Sequence, residues 1–332
     1  MLNSQLQSST WLNRRRYNPL PSLLAAPNPA IAYFARRDLL GEVVPPVETL
    51  WELPGARQLL RRQMESGAWP YPGSGIAEHR ASEDYNQIET YRNLSILVEK
   101  FGFDRRHPAM QAAAEYLFTK QTAEGDLRGI YGNQYTPNYT AAIMELLIKS
   151  GYAQDTRIGR AFEWLLSIRQ DDGGWTIPLR THKFKYTPEN VIGETLQPVR
   201  GKPFSHLATG VVLRAFAAHP EQRHNPAAHR AGELLAGRFF RRDTYPDRGA
   251  ISFWTGFSFP FWFTDLLSSL DALTQIGFTA DHPDIRRGLD WFIEHQDADG
   301  SWRLKILRGK ERDVPQWLGL AICRVFARLE TV

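Results

Sequence analysis

The chain has 332 residues, 42% of them hydrophobic and 23% charged, with a formal net charge of +4. That balance excludes a wholly disordered chain and makes no demand for nucleic acid as a partner. The single cysteine, Cys323, excludes internal disulfides and cysteine-rich zinc sites, and no run approaches the ~18 apolar residues that a membrane-spanning helix needs.

In chain order, residues 1–27 are expected to form a poorly structured N-terminal arm, with Arg14, Arg15 and Arg16 followed by a proline-broken apolar stretch. Residues 28–332 are expected to form one domain, organised by a recurring pattern. It begins with Gln63, Gly67 and Trp69 and returns as Gln121, Gly125 and Leu127. It returns one residue tighter as Gln170, Gly174 and Trp175, in degenerate form between Arg238 and Trp254, and finally as Gln296, Gly300 and Trp302. Counted from Gln63, Gln121, Gln170, Arg238 and Gln296, the spacings are 58, 49, 68 and 58 residues. A period of that length marks a repeat architecture.

Apolar stripes at helical spacing flank each copy. Upstream, 107–120 carries Met110, Ala113, Ala114, Leu117 and Phe118, and 157–168 carries Ile158, Ala161, Phe162, Leu165 and Leu166. Downstream, the same period runs through 137–149 (Tyr139, Ala142, Ile143, Leu146), 205–217 (Ala208, Val211, Val212, Ala215) and 315–329 (Leu318, Ala321, Ile322, Val325). Gly102, Gly151 and Gly277 close downstream helices, while Pro108 and Pro283 open upstream ones. Each unit therefore reads as helix, motif loop, helix. In the motif, Gly permits a tight turn, Trp plugs a helix end and the Gln amide can satisfy backbone groups left open at a neighbouring helix terminus. The pattern predicts a structural clamp.

These loops resemble the QW repeats of squalene and oxidosqualene cyclases, and the helix-loop-helix units are similar to those of protein prenyltransferase β subunits and of short prenyltransferase/squalene oxidase repeat proteins. The resemblance spans about residues 50–330. It implies an all-α fold, an α/α toroid of about five to six helix pairs, with an inserted loop at about 177–203. The downstream helices would form an inner ring whose N-terminal ends line a central cavity. Three signatures of enzymes with this fold are missing: an Asp-x-Asp-Asp proton donor, an Asp-Asp-x-x-Asp magnesium site, and the Asp-x-Cys zinc pair, since Ala321 precedes Cys323 by two residues.

If function lies between each motif and the following helix, the candidates follow. Glu83, Asp84 and Asp265 begin inner helices, where a carboxylic acid facing an apolar cavity could act as a general acid, or equally serve as a helix cap. His206 offers a base. Tyr85, Tyr135, Asn138, Tyr139, Trp254, Phe257, Phe261, Trp262 and Trp317 are candidate substrate-binding residues. Seven aromatics fall between Phe253 and Phe263, and aromatic faces suit polyprenyl chains and carbocations. The insert carries Arg180, His182, Lys183, Lys185 and Arg200 and could serve as a basic lid.

The expected function is that of a terpene cyclase-like enzyme or a hydrophobic-ligand binding protein. A non-catalytic scaffold and a carbohydrate-active (α/α) barrel such as a polysaccharide lyase stand as alternatives. The expected partner is an apolar, isoprenoid-like small molecule, with no nucleic acid, no metal and no cofactor. Peripheral membrane contact is compatible with this reading, and the expected location is cytoplasmic.

Overall fold

The computed structural model describes residues 15–73, 84–183, 185, 187–309 and 311–329. Its helices alternate between an outer and an inner position. The outer helices are α1 (Leu20–Leu24), α3 (Pro54–Leu60), α5 (Pro108–Phe118), α7 (Thr156–Ser167), α10 (Pro226–Ala236) and α12 (Pro283–Glu294). Each is followed by an inner helix: α2 (Pro29–Leu39), α4 (Tyr85–Phe101), α6 (Pro137–Leu147), α9 (His206–Ala218), α11 (Leu266–Ile276) and α13 (Val314–Arg328). The short α8 (Pro188–Ile192) lies in the insert before α9.

Inner helices pack in sequence, α2 on α4, α4 on α6, α6 on α9, α9 on α11 and α11 on α13, and α13 returns to α2. The ring is closed, with six helix pairs among the described residues. Burial follows position. Outer helices α7 and α12 bury one stripe, Ile158, Ala161, Phe162 and Leu165 on the first and Ile285, Leu289 and Phe292 on the second. Inner helix α9 is buried from His206 through Ala217 apart from Leu207, because it has neighbours on all sides.

The motif loops act as the expected clamp. Gln63 Nε2 donates to Gly67 O at 2.9 Å within its own loop and to Ala109 O at 2.8 Å at the start of the next outer helix. Gln121 repeats this with Gly125 O at 2.9 Å and Arg157 O at 2.7 Å. The tryptophan indoles donate backwards to the end of the preceding outer helix: Trp69 to Leu59 O, Trp175 to Leu165 O and Trp302 to Phe292 O, at 2.7–2.8 Å. Trp254 also donates backwards, to Arg241 O at 2.8 Å in the turn that follows α10, so the degenerate copy keeps the plug without the glutamine. Threonines of the inner helices receive the loops, Thr90 Oγ1 accepting Trp69 N–H and Thr209 Oγ1 accepting Trp175 N–H, both at 2.9 Å. Gly67 is required because its φ is +86° and a Cβ there would lie 2.1 Å from Ala112 O.

The last clamp closes the circle. Gln296 Nε2 donates to Gly300 O at 3.0 Å and to Tyr17 O at 2.9 Å, so the N-terminal segment stands where other repeats place the next outer helix. Leu20 and Leu23 of α1 are buried, and Arg15 lies over the Phe326 ring. Residues 15–27, assigned to the arm by sequence, thus pack against the final repeat, while residues 1–14 lie outside the described residues. A two-stranded parallel sheet, β1 (Gly256–Ser258) with β2 (Lys305–Arg308), joins the loops that precede α11 and α13.

Candidate functional site

The two mouths of the ring differ. The ends of the inner helices surround a depression of about 610 Å3. Its charged groups are neutralised in pairs: Arg324 with Asp38 at 2.6 Å, Lys149 with Glu99 at 2.6 Å and Arg328 with Asp271 at 3.1 Å. At the other mouth, where the inner helices begin, a cavity of about 440 Å3 opens, above the roughly 300 Å3 at which small-molecule sites begin.

A buried ion network connects the inner helices α6 and α9. Arg214 of α9 pairs with Glu145 of α6 at 2.6 Å and donates to Phe261 O at 3.0 Å, and Glu145 pairs in turn with Lys149 at 2.7 Å. Burial by itself would raise the Glu145 carboxyl, but Arg214 and Lys149 hold it below its ordinary range. The network reaches the cavity through Tyr91, which touches the Arg214 guanidinium.

The cavity wall is a run of aromatic rings. Tyr131 and Tyr139 meet edge-on at 5.7 Å, Tyr139 meets Tyr91 at 6.4 Å, and Tyr91 meets Trp262 at 4.8 Å. Phe253, Phe263, Ala142, Leu207 and Val211 complete most of the apolar lining. Polar groups enter at Asn138, whose buried Oδ1 has no hydrogen-bond partner among the described residues, at Asp247 and at Arg248. Arg248 sits over Phe263 at 3.3 Å and Arg308 over Trp262 at 3.9 Å.

Of the residues singled out from sequence, Asn138, Tyr139 and Trp262 line this cavity. The others sit elsewhere. Asp84 caps α4 by accepting the Gln87 N–H at 2.9 Å and pairs with Lys120 at 2.7 Å. Glu83 lies outside the described residues. Asp265 caps α11 in a capping box with Ser268 and is fully buried, and it is not among the lining residues. Desolvation raises its pKa to about 7, and its Oδ2 has no hydrogen-bond partner. His206 is buried 4.6 Å from Trp254, with Asp243 at 3.7 Å, and desolvation lowers its pKa to about 4, which keeps the ring neutral.

Tyr85 packs on Tyr71 at 4.7 Å. Tyr135 bonds Glu124 and accepts from Gln197 Nε2 of the insert at 2.9 Å. Trp254 is a motif plug, Phe257 packs on Trp291 and Phe292, and Phe261 meets Phe259 edge-on at 5.6 Å. Trp317 stacks on Phe259 at 5.3 Å and donates to Asp313 at 3.1 Å. In the basic insert, Arg180 pairs with Asp247 at 2.5 Å, and Ile177 reaches the cavity wall.

Sequence reasoning missed Tyr91, Tyr131, Arg248 and Arg308. Tyr91 carried a usable signal, since it lies two helical turns beyond the cap Asp84 and so on the same side of α4. Arg308 carried none, because the β1–β2 pairing that sets it opposite Ser258 joins segments far apart in the chain. Among the described residues, no group of three or more His, Cys, Asp or Glu could hold a metal. No helix among them is long and apolar enough to cross a membrane.

Residues 74–193 match the squalene-hopene cyclase C-terminal domain family. A probable squalene–hopene cyclase of Sinorhizobium fredii is 32% identical over 151 residues, covering 46% of this chain and 22% of that protein. The squalene–hopene cyclase of Bradyrhizobium diazoefficiens is 24% identical over 225 residues, covering 60% of this chain and 32% of that protein. The matches thus take in well under half the length of these relatives. The type II terpene cyclase MstE from Scytonema, in an apo variant structure, aligns over 96% of this chain and 97% of its own, at 13% identity and a TM-score of 0.47. With its helix pairs closed into a ring and this sequence match in residues 74–193, the protein is terpenoid cyclase-like in fold.

Proposed function

We propose that the protein binds an isoprenoid-like small molecule in the cavity where the inner helices begin. The observation that carries this reading is the continuous aromatic wall from Tyr131 through Tyr139 and Tyr91 to Trp262 around a space of about 440 Å3. Such faces bind branched hydrocarbon by apolar contact, and they attract a cation if one forms. The test is quenching of intrinsic tryptophan fluorescence by farnesol and by squalene. Saturable binding is expected, weakened about tenfold by Trp262→Ala, which removes one large contact face. Saturation by oligosaccharides instead, or by none of these probes, would overturn the reading in favour of a carbohydrate-active barrel or a scaffold.

A second reading, acid-initiated cyclisation, is favoured by one observation. Asp265 is a fully buried carboxyl with an unpartnered Oδ2 and a pKa raised by desolvation to about 7, so it holds a proton near neutrality. Asp265 itself is not among the residues that line the cavity, whereas Phe263, two residues before it, is. Product formation from a polyprenyl substrate that disappears in Asp265→Asn while binding persists would support this reading. Product formation that survives the substitution would remove Asp265 from the chemistry.

A further inference from the structure

The seam where the N-terminal segment closes the ring is tight at one point and open beside it. At Gly300, whose φ is +83°, a Cβ would lie 2.2 Å from Asn18 O, so the two backbones touch. Next to that contact the seam leaves a cavity of about 480 Å3, which shares no lining residue with the aromatic cavity at the start of the inner helices. Its walls come from both sides of the seam: Ser22 and Leu23 of α1, Trp302 and Leu304 of the last motif loop, and Gln316 and Gly319 of α13.

The lining points to one kind of occupant. Leu23, Trp302 and Leu304 are apolar, and Gly319 leaves the face of α13 open between them, since a Cβ there would stand at an ordinary 3.7 Å from both Leu23 Cδ2 and Trp302 Cε3. The charged groups at the rim are already engaged. Asp299 accepts from the Ser301 N–H at 2.9 Å and from Ser301 Oγ at 2.6 Å, and Arg303 faces Asp297 at 3.7 Å. The group left over is Gln316, whose Oε1 is buried with no hydrogen-bond partner among the described residues. A buried acceptor without a donor is a standing cost that an incoming donor relieves. Apolar walls, engaged charges and one open acceptor suit a neutral molecule, and the volume is above the roughly 300 Å3 at which small-molecule sites begin.

We propose that this seam cavity is a second small-molecule site, taking a neutral, largely apolar molecule whose single hydroxyl or N–H donates to Gln316 Oε1, and that its occupancy fastens the ring. The site stands apart from the aromatic cavity and from the ligand proposed there. Its walls belong to the N-terminal segment and to the last repeat, so it exists only while the two are docked, and a ligand that binds this state alone stabilises it.

The experiment is calorimetric titration of the full chain with 2-naphthol, 2-methoxynaphthalene and 2-naphthoate, one ring system that carries in turn a donor, no donor and an anion. 2-Naphthol should bind saturably, about threefold to tenfold more tightly than 2-methoxynaphthalene, as one neutral hydrogen bond allows. It should also raise Tm as its concentration rises, and 2-naphthoate should bind more weakly than either. Gln316→Leu should level the two neutral probes. Gly319→Leu, which fills the cavity from α13, should abolish 2-naphthol binding, while Trp262→Ala in the aromatic cavity should leave it within about twofold. If Gly319→Leu does not fold by circular dichroism, Ser22→Phe fills the cavity from the other side of the seam. Binding that survives filling of the cavity, or that Trp262→Ala abolishes, places the probe elsewhere and overturns the seam site, as does the absence of saturable 2-naphthol binding. Equal affinity for the two neutral probes, or tighter binding of 2-naphthoate, overturns the ligand class. Saturable 2-naphthol binding with an unchanged Tm overturns the fastening of the ring.

Discussion

Two ionisable residues at the starts of inner helices, His206 and Asp265, are buried and do not line the cavity, and burial has opposite consequences for them. His206 is kept neutral by desolvation, with its pKa lowered to about 4, and Asp265 is kept protonated, with its pKa raised to about 7. For Asp265 the folded protein binds the proton more tightly than the unfolded chain, whose carboxyl titrates near 3.8. Its contribution to stability is therefore fully present below that value and lost as pH rises through about 7. Asp265→Asn keeps the capping oxygen and removes the titration, whereas the His206 contribution is common to both proteins and cancels in the comparison. The variant should gain stability over the parent between pH 4 and pH 8, by up to about 4 kcal/mol. Thermal unfolding at several pH values checks this, and a difference that does not vary with pH would mean that the carboxyl is ionised in the fold.

At the scale of the element, the repeated loop works by three separate contacts. The glutamine amide bridges its own glycine carbonyl and the next outer helix, the indole N–H holds the end of the preceding one, and a threonine of the inner helix receives the loop backbone. Close approach at the glycine makes these possible, which gives a sharp comparison. Gly67 and Gly41 both have positive φ, +86° and +62°, but a Cβ at Gly67 would strike Ala112 O at 2.1 Å, whereas none of the surrounding atoms lies within 4 Å at Gly41. Gly41→Ala should cost about 1 kcal/mol for the left-handed backbone alone. Gly67→Ala should cost at least about 3 kcal/mol because the next outer helix must move as well. Denaturant midpoints of the two variants measure the difference, and equal losses would show that the loop does not press on α5.

For the whole molecule, closure depends on the N-terminal segment. Tyr17 exchanges hydrogen bonds with Gln296 at 2.9 and 3.1 Å, Gly300 packs against Asn18, and Leu20 and Leu23 are buried on the last repeat. Deletion of residues 1–27 should lower unfolding stability by at least about 3 kcal/mol, since two fully buried leucines contribute roughly 1.5–3 kcal/mol each. A loose arm would be removable without effect, so an unchanged guanidinium midpoint would refute the closure. The buried Glu145–Arg214–Lys149 network links the two mouths of the same ring: Lys149 lines one depression, and Tyr91, which touches Arg214, lines the other.

The helix pairs and their clamps were legible in the sequence because they depend on local terms: a 3.6-residue apolar period, a proline at the first turn, a glycine at a turn that admits no Cβ. The starts of the inner helices were legible for the same reason, and position alone pointed to Asn138, Tyr139 and Trp262, which line the cavity. Which side of the wall a residue falls on was not legible, because capping and cavity lining occupy the same few positions at a helix start. Asp84 and Asp265 satisfy helix N–H groups there, while Asn138 leaves its oxygen open. The arginines stacked on Trp262 and Phe263 were placed by tertiary structure alone. Arg92 comes from an inner helix, Arg248 from a strained loop and Arg308 from a two-stranded sheet, and the closing of the ring brings these three distant stretches over one set of aromatic rings.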